Sequence, residues 1–261
     1  MDLQLIPIEQ FQNFLLCLSR VLALIAAIPV FAGSQIAIRL KIGLAVATAL
    51  LLFPSMASHT PQNISSMTEL GILLINEVIL GALIGLTAQL IFTGVSFGGT
   101  IIGYQMGFAA ANIFDPQTTQ QLSLMSQFIN ILAILIFLAL NGHHFFFQAI
   151  IESYITLPPG YLDFSGDVVP KLTRLGSQMF ILGVKFSAPV LALLLISNLV
   201  LGILSRVFPQ LNVFMLSFPM NIGISFFVIG LTLNTALLIL RREFDELGYD
   251  IMEFFTLLKG L

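Results

Sequence analysis

The sequence is poor in charged residues. Only 9% of its 261 residues are Asp, Glu, Lys or Arg, against about 25% in a typical soluble domain. This number of charges is too small to cover a water-facing surface. Most of the outside of the protein therefore has to face lipid or other protein. With 57% hydrophobic residues and a mean hydropathy of +1.01, the composition indicates an integral membrane protein.

Further absences exclude several kinds of chemistry. The single cysteine, Cys17, permits no intrachain disulfide and no cysteine-rich metal site. The ten basic residues form no cluster that could neutralise phosphates, so we expect no nucleic-acid binding. The adjacent pair His143 and His144 points in different directions on a helix and has no nearby histidine partner. We interpret it as a polar helix end and expect neither a metal nor a cofactor.

Catalytic residues are also missing. An intramembrane aspartyl site needs two carboxylates, and Asp115 alone lies amid the long apolar stretches. No serine or cysteine stands at a spacing that would pair it with a base. We therefore expect that the protein is not an enzyme.

Long uncharged stretches make up most of the chain. They cover residues 21–38, 42–56, 78–114, 116–151, 186–205 and 207–240. A membrane-spanning helix needs about 20 apolar residues, and these runs do not alternate as barrel strands do. Because backbone hydrogen bonds in lipid have to close internally, we predict an all-α fold with six helical segments.

Helix-breaking residues interrupt these stretches. They occur at Pro29 with Gly33, from Gly94 to Gly99, and at Pro209-Gln-Leu-Asn212. Broken helices inside a membrane are tolerated where protein or an aqueous cavity surrounds them. The pattern therefore predicts a chain covered more by partner subunits than by lipid.

Glycines recur at four-residue spacing in one region. The sets are Gly81 with Gly85, Gly94 with Gly98, and Gly99 with Gly103 and Gly107. Although membrane helices are rich in glycine generally, three sets favour close helix packing, inside the chain or between subunits.

Isolated cations lie within or beside the apolar stretches at Arg20, Lys185 and Arg206. An unpaired charge there costs several kcal/mol. We expect Arg20 to extend its charge to the membrane surface. Arg206 fits either that arrangement or a pair with a carboxylate of a neighbouring subunit.

The C-terminal tail has the pattern of an amphipathic helix. After Arg242, apolar residues recur every three or four positions, and acidic residues occupy the other side. The apolar set is Phe244, Leu247, Ile251, Phe254, Leu258 and Leu261, and the acidic set is Asp245, Glu246, Asp250 and Glu253. The acidic face argues against anionic lipid, so we expect docking on another subunit or on the chain's own helices.

The segment from Gly107 to Gln121 is small and polar, and it contains Asp115-Pro116, a combination typical of a helix start. Two interpretations stay open. The segment is either a capped loop between two membrane helices or a loop lying in a conduit, where it blocks passage and then yields.

A series of motifs gives the chain a family resemblance. They are Arg20-Val-Leu, Pro29, Gly103-Tyr-Gln-Met-Gly107, Phe114-Asp-Pro116, Asn141-Gly-His143, the run from Arg206 to Phe214, and Ser217-Phe-Pro219. In this order and spacing they resemble the FliR family of flagellar export apparatus proteins over essentially the whole chain. That family is homologous to the T subunit of the injectisome type III secretion export gate.

The resemblance implies an architecture and partners. FliR-like proteins assemble with FliP and FliQ subunits into a helical hetero-oligomer in the flagellar basal body of the bacterial inner membrane. Residues 1–174 would be a FliP-like part, and residues 175–261 a FliQ-like helical hairpin with the amphipathic tail. The assembly would pass unfolded flagellar proteins across the membrane.

The resemblance also implies site residues. A plug loop, with a ring of methionines, closes the channel. Its candidate residues here are Met106, Gly107, Phe108, Asn112, Phe114, Asp115, Pro116 and Gln117. FlhB would contact the turn that contains Arg206, Pro209, Gln210, Asn212, Phe214 and Pro219.

Two other functions stay open on the sequence. The injectisome export gate subunit shares the family features. A secondary transporter would also contain broken helices, but it normally has internal repeats, and the sequence contains no repeat that we can identify.

Overall fold

The computed structural model describes residues 7–32, 36–56, 64, 66–107, 124–160, 168–210 and 212–259. All regular secondary structure in these ranges is helical, which confirms the all-α prediction. The helices are α1 (Ile8–Ala27), α2 (Pro29–Ala32), α3 (Ile38–Met56), α4 (Met67–Gln105), α5 (Leu124–Ala139), α6 (Gly142–Thr156), α7 (Val168–Val207) and α8 (Val213–Leu258).

Five helices, α1, α3, α4, α7 and α8, are long and apolar enough to cross a membrane. Helices α5 and α6 are bent by 66° at a short break, and together they pass as a sixth span. The prediction of six segments agrees with the structure when this bent pair is taken as one. At 1.5 Å per residue, α4, α7 and α8 are each about 58 Å or longer, well beyond the ~30 Å hydrocarbon core of a bilayer.

The predicted helix breaks have different outcomes. Helix α1 ends at Ala27, and Pro29 begins the short α2, so that break is confirmed. The turn at Pro209 is confirmed between α7 and α8. The break predicted from Gly94 to Gly99 is wrong, because α4 continues through these residues. Their missing side chains admit neighbouring helices instead.

The described residues fall into two compact units. The first lies within Met1–Leu90, Leu138–Leu175 and Phe244–Leu261, and the second within Ile91–Phe137 and Gly176–Glu243. These units are defined by contacts inside the chain. The division at residues 174 and 175 was inferred from a family resemblance and stays a prediction.

In the first unit, α1 packs on α3, with the rings of Phe14 and Phe53 meeting edge to face at 5.8 Å. Helix α4 approaches α1 at its glycines. A Cβ at Gly81 would overlap the carbonyl oxygen of Arg20, and one at Gly85 would overlap the Cβ of Ala27. Only glycine permits this separation, so the predicted close packing is confirmed inside the chain.

Glycines of α4 permit close helix packing in the second unit as well. A Cβ at Gly94 would lie 2.7 Å from the carbonyl oxygen of Met179, and one at Gly98 would lie 2.7 Å from that of Gly183. A Cβ at Gly99 would lie 2.7 Å from the Cα of Ser126 in α5. The second half of α4 is therefore in backbone contact with both α5 and α7.

The C-terminal tail is the last part of α8, and its amphipathic character is confirmed. Its apolar positions Phe244, Leu247, Ile251, Phe254 and Leu258 are buried in the first unit, whereas Asp245 and Glu246 are exposed. Lys171, at the start of α7, donates a hydrogen bond to Asp250 at 2.6 Å and another to Glu253. Of the two predicted docking surfaces, the described tail uses the chain's own helices.

Candidate functional site

The predicted plug segment begins where α4 ends. Met106 is completely buried at this point, and Gly107 has a φ of 90°. The Gly107 N–H donates to the carbonyl oxygen of Tyr104 at 3.1 Å. A glycine with positive φ is a common way to end a helix, because residues with a Cβ are strained in that conformation. The conformation of Gly107 therefore explains why α4 ends at Gln105.

Gly107 also lies against Phe218 of α8. A Cβ at position 107 would be 2.6 Å from Cδ1 and 2.6 Å from Cε1 of that ring. Real carbon atoms do not approach so closely, so the ring occupies the space that any side chain at 107 would need. Phe218 thus fixes the point from which the chain leaves α4.

The other candidate plug residues lie outside the described residues. These are Phe108, Asn112, Phe114, Asp115, Pro116 and Gln117, within the range 108–123. The next described residue is Leu124, which begins α5. Their plug role therefore stays a prediction.

The second predicted site, the turn between α7 and α8, is exposed. Arg206, Pro209, Gln210, Asn212 and Pro219 are all exposed, and Phe214 lies in the first turn of α8. The side-chain oxygen of Asn212 accepts a hydrogen bond from the N–H of Met215 at 3.3 Å. Asn212 therefore caps the start of α8.

Large apolar side chains surround this turn. Val207, Phe208 and Met215 are 61%, 53% and 72% exposed. Arg206, next to Val207 in the chain, is also exposed and adds a positive charge. Exposed apolar patches mark sites of interaction with protein or membrane.

Amide and hydroxyl groups join α7 to α8 below the turn. Ser197 donates to the side-chain oxygen of Asn221 at 3.0 Å, and the Asn221 amide donates to the side-chain oxygen of Asn198 at 3.1 Å. Such bonds fix the register of two apolar helices. This cluster was not predicted from the sequence. The feature that could have indicated it is a pair of asparagines, Asn198 and Asn221, at nearly equal distances on either side of the predicted turn.

A buried ion pair in the first unit was also missed. The Arg20 guanidinium contacts both carboxylate oxygens of Glu77, with Nε–Oε2 at 2.5 Å and Nη2–Oε1 at 2.9 Å. Both side chains are fully buried. The expectation that Arg20 extends to the membrane surface is therefore wrong, because a carboxylate on α4 neutralises its charge inside the protein.

Helix α6 completes the surroundings of this pair. Arg20 donates to the Ser153 hydroxyl at 2.7 Å and to the Leu157 carbonyl oxygen at 3.1 Å, and its guanidinium carbon lies 3.7 Å from the centre of the Tyr154 ring. The Tyr154 hydroxyl donates to Glu77 at 3.1 Å. Because the charges are neutralised and hydrogen-bonded internally, the cluster is suited to holding three helices together rather than to binding a ligand.

Comparisons with known proteins point to one family. The chain matches the family described as bacterial export proteins, family 1, over residues 11–247. It is similar to the flagellar biosynthetic protein FliR of Pectobacterium carotovorum subsp. carotovorum, with 38% identity over 82% of this chain and 81% of the relative. It is also similar to FliR of Escherichia coli K12, with 34% identity over 94% of this chain and 90% of the relative. For FliR of Bacillus subtilis 168, the identity is 32% over 91% of this chain and 92% of the relative.

Proposed function

Because the chain belongs to the bacterial export proteins, family 1, we propose that it is a structural and gating subunit of the flagellar type III protein export channel in the bacterial inner membrane. It lets unfolded flagellar proteins pass and performs no chemistry itself. The similarity to flagellar FliR proteins over 82 to 94% of the chain carries this proposal.

The gating role belongs to the plug segment, which runs from Gly107 to Gln121. This segment closes the channel and yields when a substrate arrives. Two features support the assignment: Met106 is buried, and Phe218 fixes the chain at Gly107. The start of the segment is therefore held in place.

We infer from the family resemblance that the subunit is composite. Residues 1–174 correspond to a FliP-like part, and residues 175–261 to a FliQ-like hairpin. The hydrogen bonds that Ser197 donates to Asn221 and that Asn221 donates to Asn198 support a hairpin that is held in one register. Partner subunits of FliP and FliQ type would cover the remaining surfaces of these helices.

FlhB contacts the exposed turn. The exposed apolar residues Phe208 and Met215 beside Arg206 support a protein contact there. A positive charge within an apolar patch would select a partner surface with a carboxylate among apolar side chains.

Complementation with co-purification tests the function. A tagged copy of the chain is produced in cells that lack their own copy, and motility and co-purifying proteins are measured. We expect restored motility and recovery of FliP- and FliQ-like chains with the tagged chain. A monomer that purifies alone and is stabilised by a small solute would instead indicate a transporter, and the export proposal would be wrong.

A further inference from the structure

A pocket opens in the first unit between α6 and the C-terminal tail. Its volume is about 430 Å³, which lies in the range of roughly 300–1,000 Å³ that small-molecule sites occupy. We name it the tail pocket. The residues that line it all belong to the first unit, and they are Phe145, Gln148, Ala149 and Glu152 of α6 and Asp245, Gly248, Tyr249, Ile251 and Met252 of the tail.

Both walls of the tail pocket have the same helical spacing. Positions 145, 148, 149 and 152 of α6 match positions 245, 248, 249 and 252 of the tail, so each helix contributes one face. Each face contains a small residue. Ala149 has a short side chain, and a Cβ added at Gly248 would meet nothing within 4 Å. Small residues on both walls therefore leave the space between the two helices open.

Most of the lining is apolar, and it includes two aromatic rings. Phe145, Tyr249 and Met252 are 39%, 79% and 40% exposed, so their side chains are accessible to a ligand. Sites for small organic molecules combine such a lining with a few polar groups that fix the orientation of the ligand. The face of an aromatic ring also attracts a cation. The lining therefore suits a ligand with an apolar body.

Two carboxylates give the pocket a negative charge, Glu152 on α6 and Asp245 on the tail. Glu152 is half-buried and accepts a hydrogen bond of 3.0 Å from the uncharged amide of Gln148. No ion pair among the described residues includes Glu152. Because a partly buried carboxylate is stabilised by a nearby cation, the charge of the pocket selects a positive ligand.

Other classes of ligand fit this lining less well. The described residues contain no group of three or more His, Cys, Asp or Glu side chains that could hold a metal ion. Glu152 and Asp245 would repel an anion. A neutral apolar molecule would leave the charge of Glu152 without a partner. An organic cation matches both the apolar lining and the charge.

We propose that the tail pocket binds an organic ammonium ion with an apolar body. The ammonium group lies next to Glu152, and the body packs against Phe145 and Tyr249. The ethanolamine headgroup of a membrane phospholipid and a soluble amine share this chemistry. The site does not depend on the export function, because every residue that forms it belongs to this one chain.

Binding to the purified full-length chain in a neutral detergent tests the pocket. The probes are hexylamine, which is protonated at neutral pH, hexanol and hexanoate, so that only the head of the same alkyl chain changes. Saturation-transfer NMR measures their dissociation constants. We expect hexylamine to bind about tenfold more tightly than hexanol, as for one hydrogen bond to a charged group, and hexanoate not to bind.

Three variants locate the binding. Glu152→Gln should weaken the binding of hexylamine about tenfold and leave that of hexanol unchanged. Glu9→Gln, the same change at an exposed position in the first turn of α1, is the matched control and should alter neither. Gly248→Leu fills the pocket, and a helix favours leucine over glycine. It should abolish the binding of both probes, whether or not the Glu152→Gln chain folds.

Competition distinguishes the two sources of the ammonium group. Dioctanoyl phosphatidylethanolamine is added to the chain with bound hexylamine, and dioctanoyl phosphatidylglycerol is the control. Displacement by the ethanolamine lipid alone assigns the pocket to a lipid headgroup. Displacement by neither lipid assigns it to a soluble amine.

Four results would overturn the inference. They are equal affinities for hexylamine and hexanol in the unaltered chain, undiminished hexylamine binding with Glu152→Gln, undiminished binding with Gly248→Leu, and displacement by both lipids. The last would mean that acyl chains, and not an ammonium group, occupy the pocket. A failure to restore motility would contradict the proposed function and would leave the measured binding unaffected.

Discussion

Gly107 and Phe218 are in contact so close that the phenyl ring takes the space of a side chain at position 107. The contact joins the end of α4 to the first two turns of α8 within the second unit. One of these elements leads into the predicted plug segment, and the other follows the exposed turn. A movement of the start of α8 would therefore act directly on Gly107, the first residue of the plug segment.

The first prediction concerns Gly107→Ala. The added Cβ would be strained at a φ of 90° and would collide with Phe218. We expect a loss of about 1–2 kcal/mol in the free energy of unfolding from the left-handed conformation alone, with a further loss from the collision. Denaturation of the detergent-solubilised chain measures both.

Two variants separate these contributions. In the Phe218→Ala background, Gly107→Ala should cost only the strain of the left-handed conformation, because the ring that the Cβ would meet is absent. Gly43→Ala is the control, because Gly43 lies in α3 with nothing within 4 Å of an added Cβ. If Gly107→Ala were as harmless as Gly43→Ala, the close contact with Phe218 would be wrong.

The second prediction concerns the Arg20–Glu77 pair. Arg20→Met leaves Glu77 charged and buried, so we expect a loss of about 3–5 kcal/mol in stability. The double variant Arg20→Met with Glu77→Met should be more stable than either single variant, because no charge is left without a partner. Arg39→Met, at an exposed position in α3, serves as the control and should change stability by less than ~0.5 kcal/mol. Additive losses in the double variant would contradict the ion pair.

Arg20 also illustrates why local sequence was insufficient for part of the site. Apart from Ser19, its neighbours on α1 are apolar, so extension to the membrane surface was the natural interpretation. The actual partner, Glu77, is 57 residues away on α4, and Ser153 lies on α6. Only the packing of three helices brings these groups together, and hydrophobic periodicity contains no information on which helix faces which.

The third prediction concerns Lys171, which links the start of α7 to the C-terminal tail. Lys171→Ala removes its hydrogen bonds to Asp250 and Glu253. Because hydrogen bonds to charged groups are stronger than neutral ones, we expect local opening of the tail to become easier by about 1–2 kcal/mol. Hydrogen exchange of residues 244–258 should then be about tenfold faster.

Arg174→Ala is the matched control for Lys171→Ala. Arg174 is exposed on the same helix, close to one turn further along. Its charge acts on Glu253 only through space, so its loss should accelerate exchange in the tail much less than the loss of Lys171 does. Equal acceleration in both variants would mean that general charge, and not the specific contact, holds the tail.

The tail and the glycines show what periodicity can and cannot predict. The spacing of three and four residues between apolar positions from Phe244 to Leu258 correctly predicted which face is buried, because an amphipathic helix has only one apolar face. The run from Gly94 to Gly99 was less informative, since glycine both breaks helices and admits neighbours. The structure shows the second outcome, because the neighbours that approach these glycines are Met179, Gly183 and Ser126. These neighbours are distant from the glycines in the sequence.

The last prediction concerns the plug segment itself. If residues 107–121 close the conduit, their deletion should increase the leak of ions and small molecules through the assembled gate. Cells that produce the complete set of subunits should then become sensitive to small toxic solutes, and membrane conductance should rise. Replacing 108–121 by a Gly–Ser linker of equal length is the matched variant, because it keeps the connection from Gly107 to α5 and removes only the side chains. Leak in both variants would assign closure to the side chains, whereas leak in the deletion alone would assign it to chain length. Unchanged conductance in both would mean that the gate is closed elsewhere, since nothing else about the channel wall has been altered.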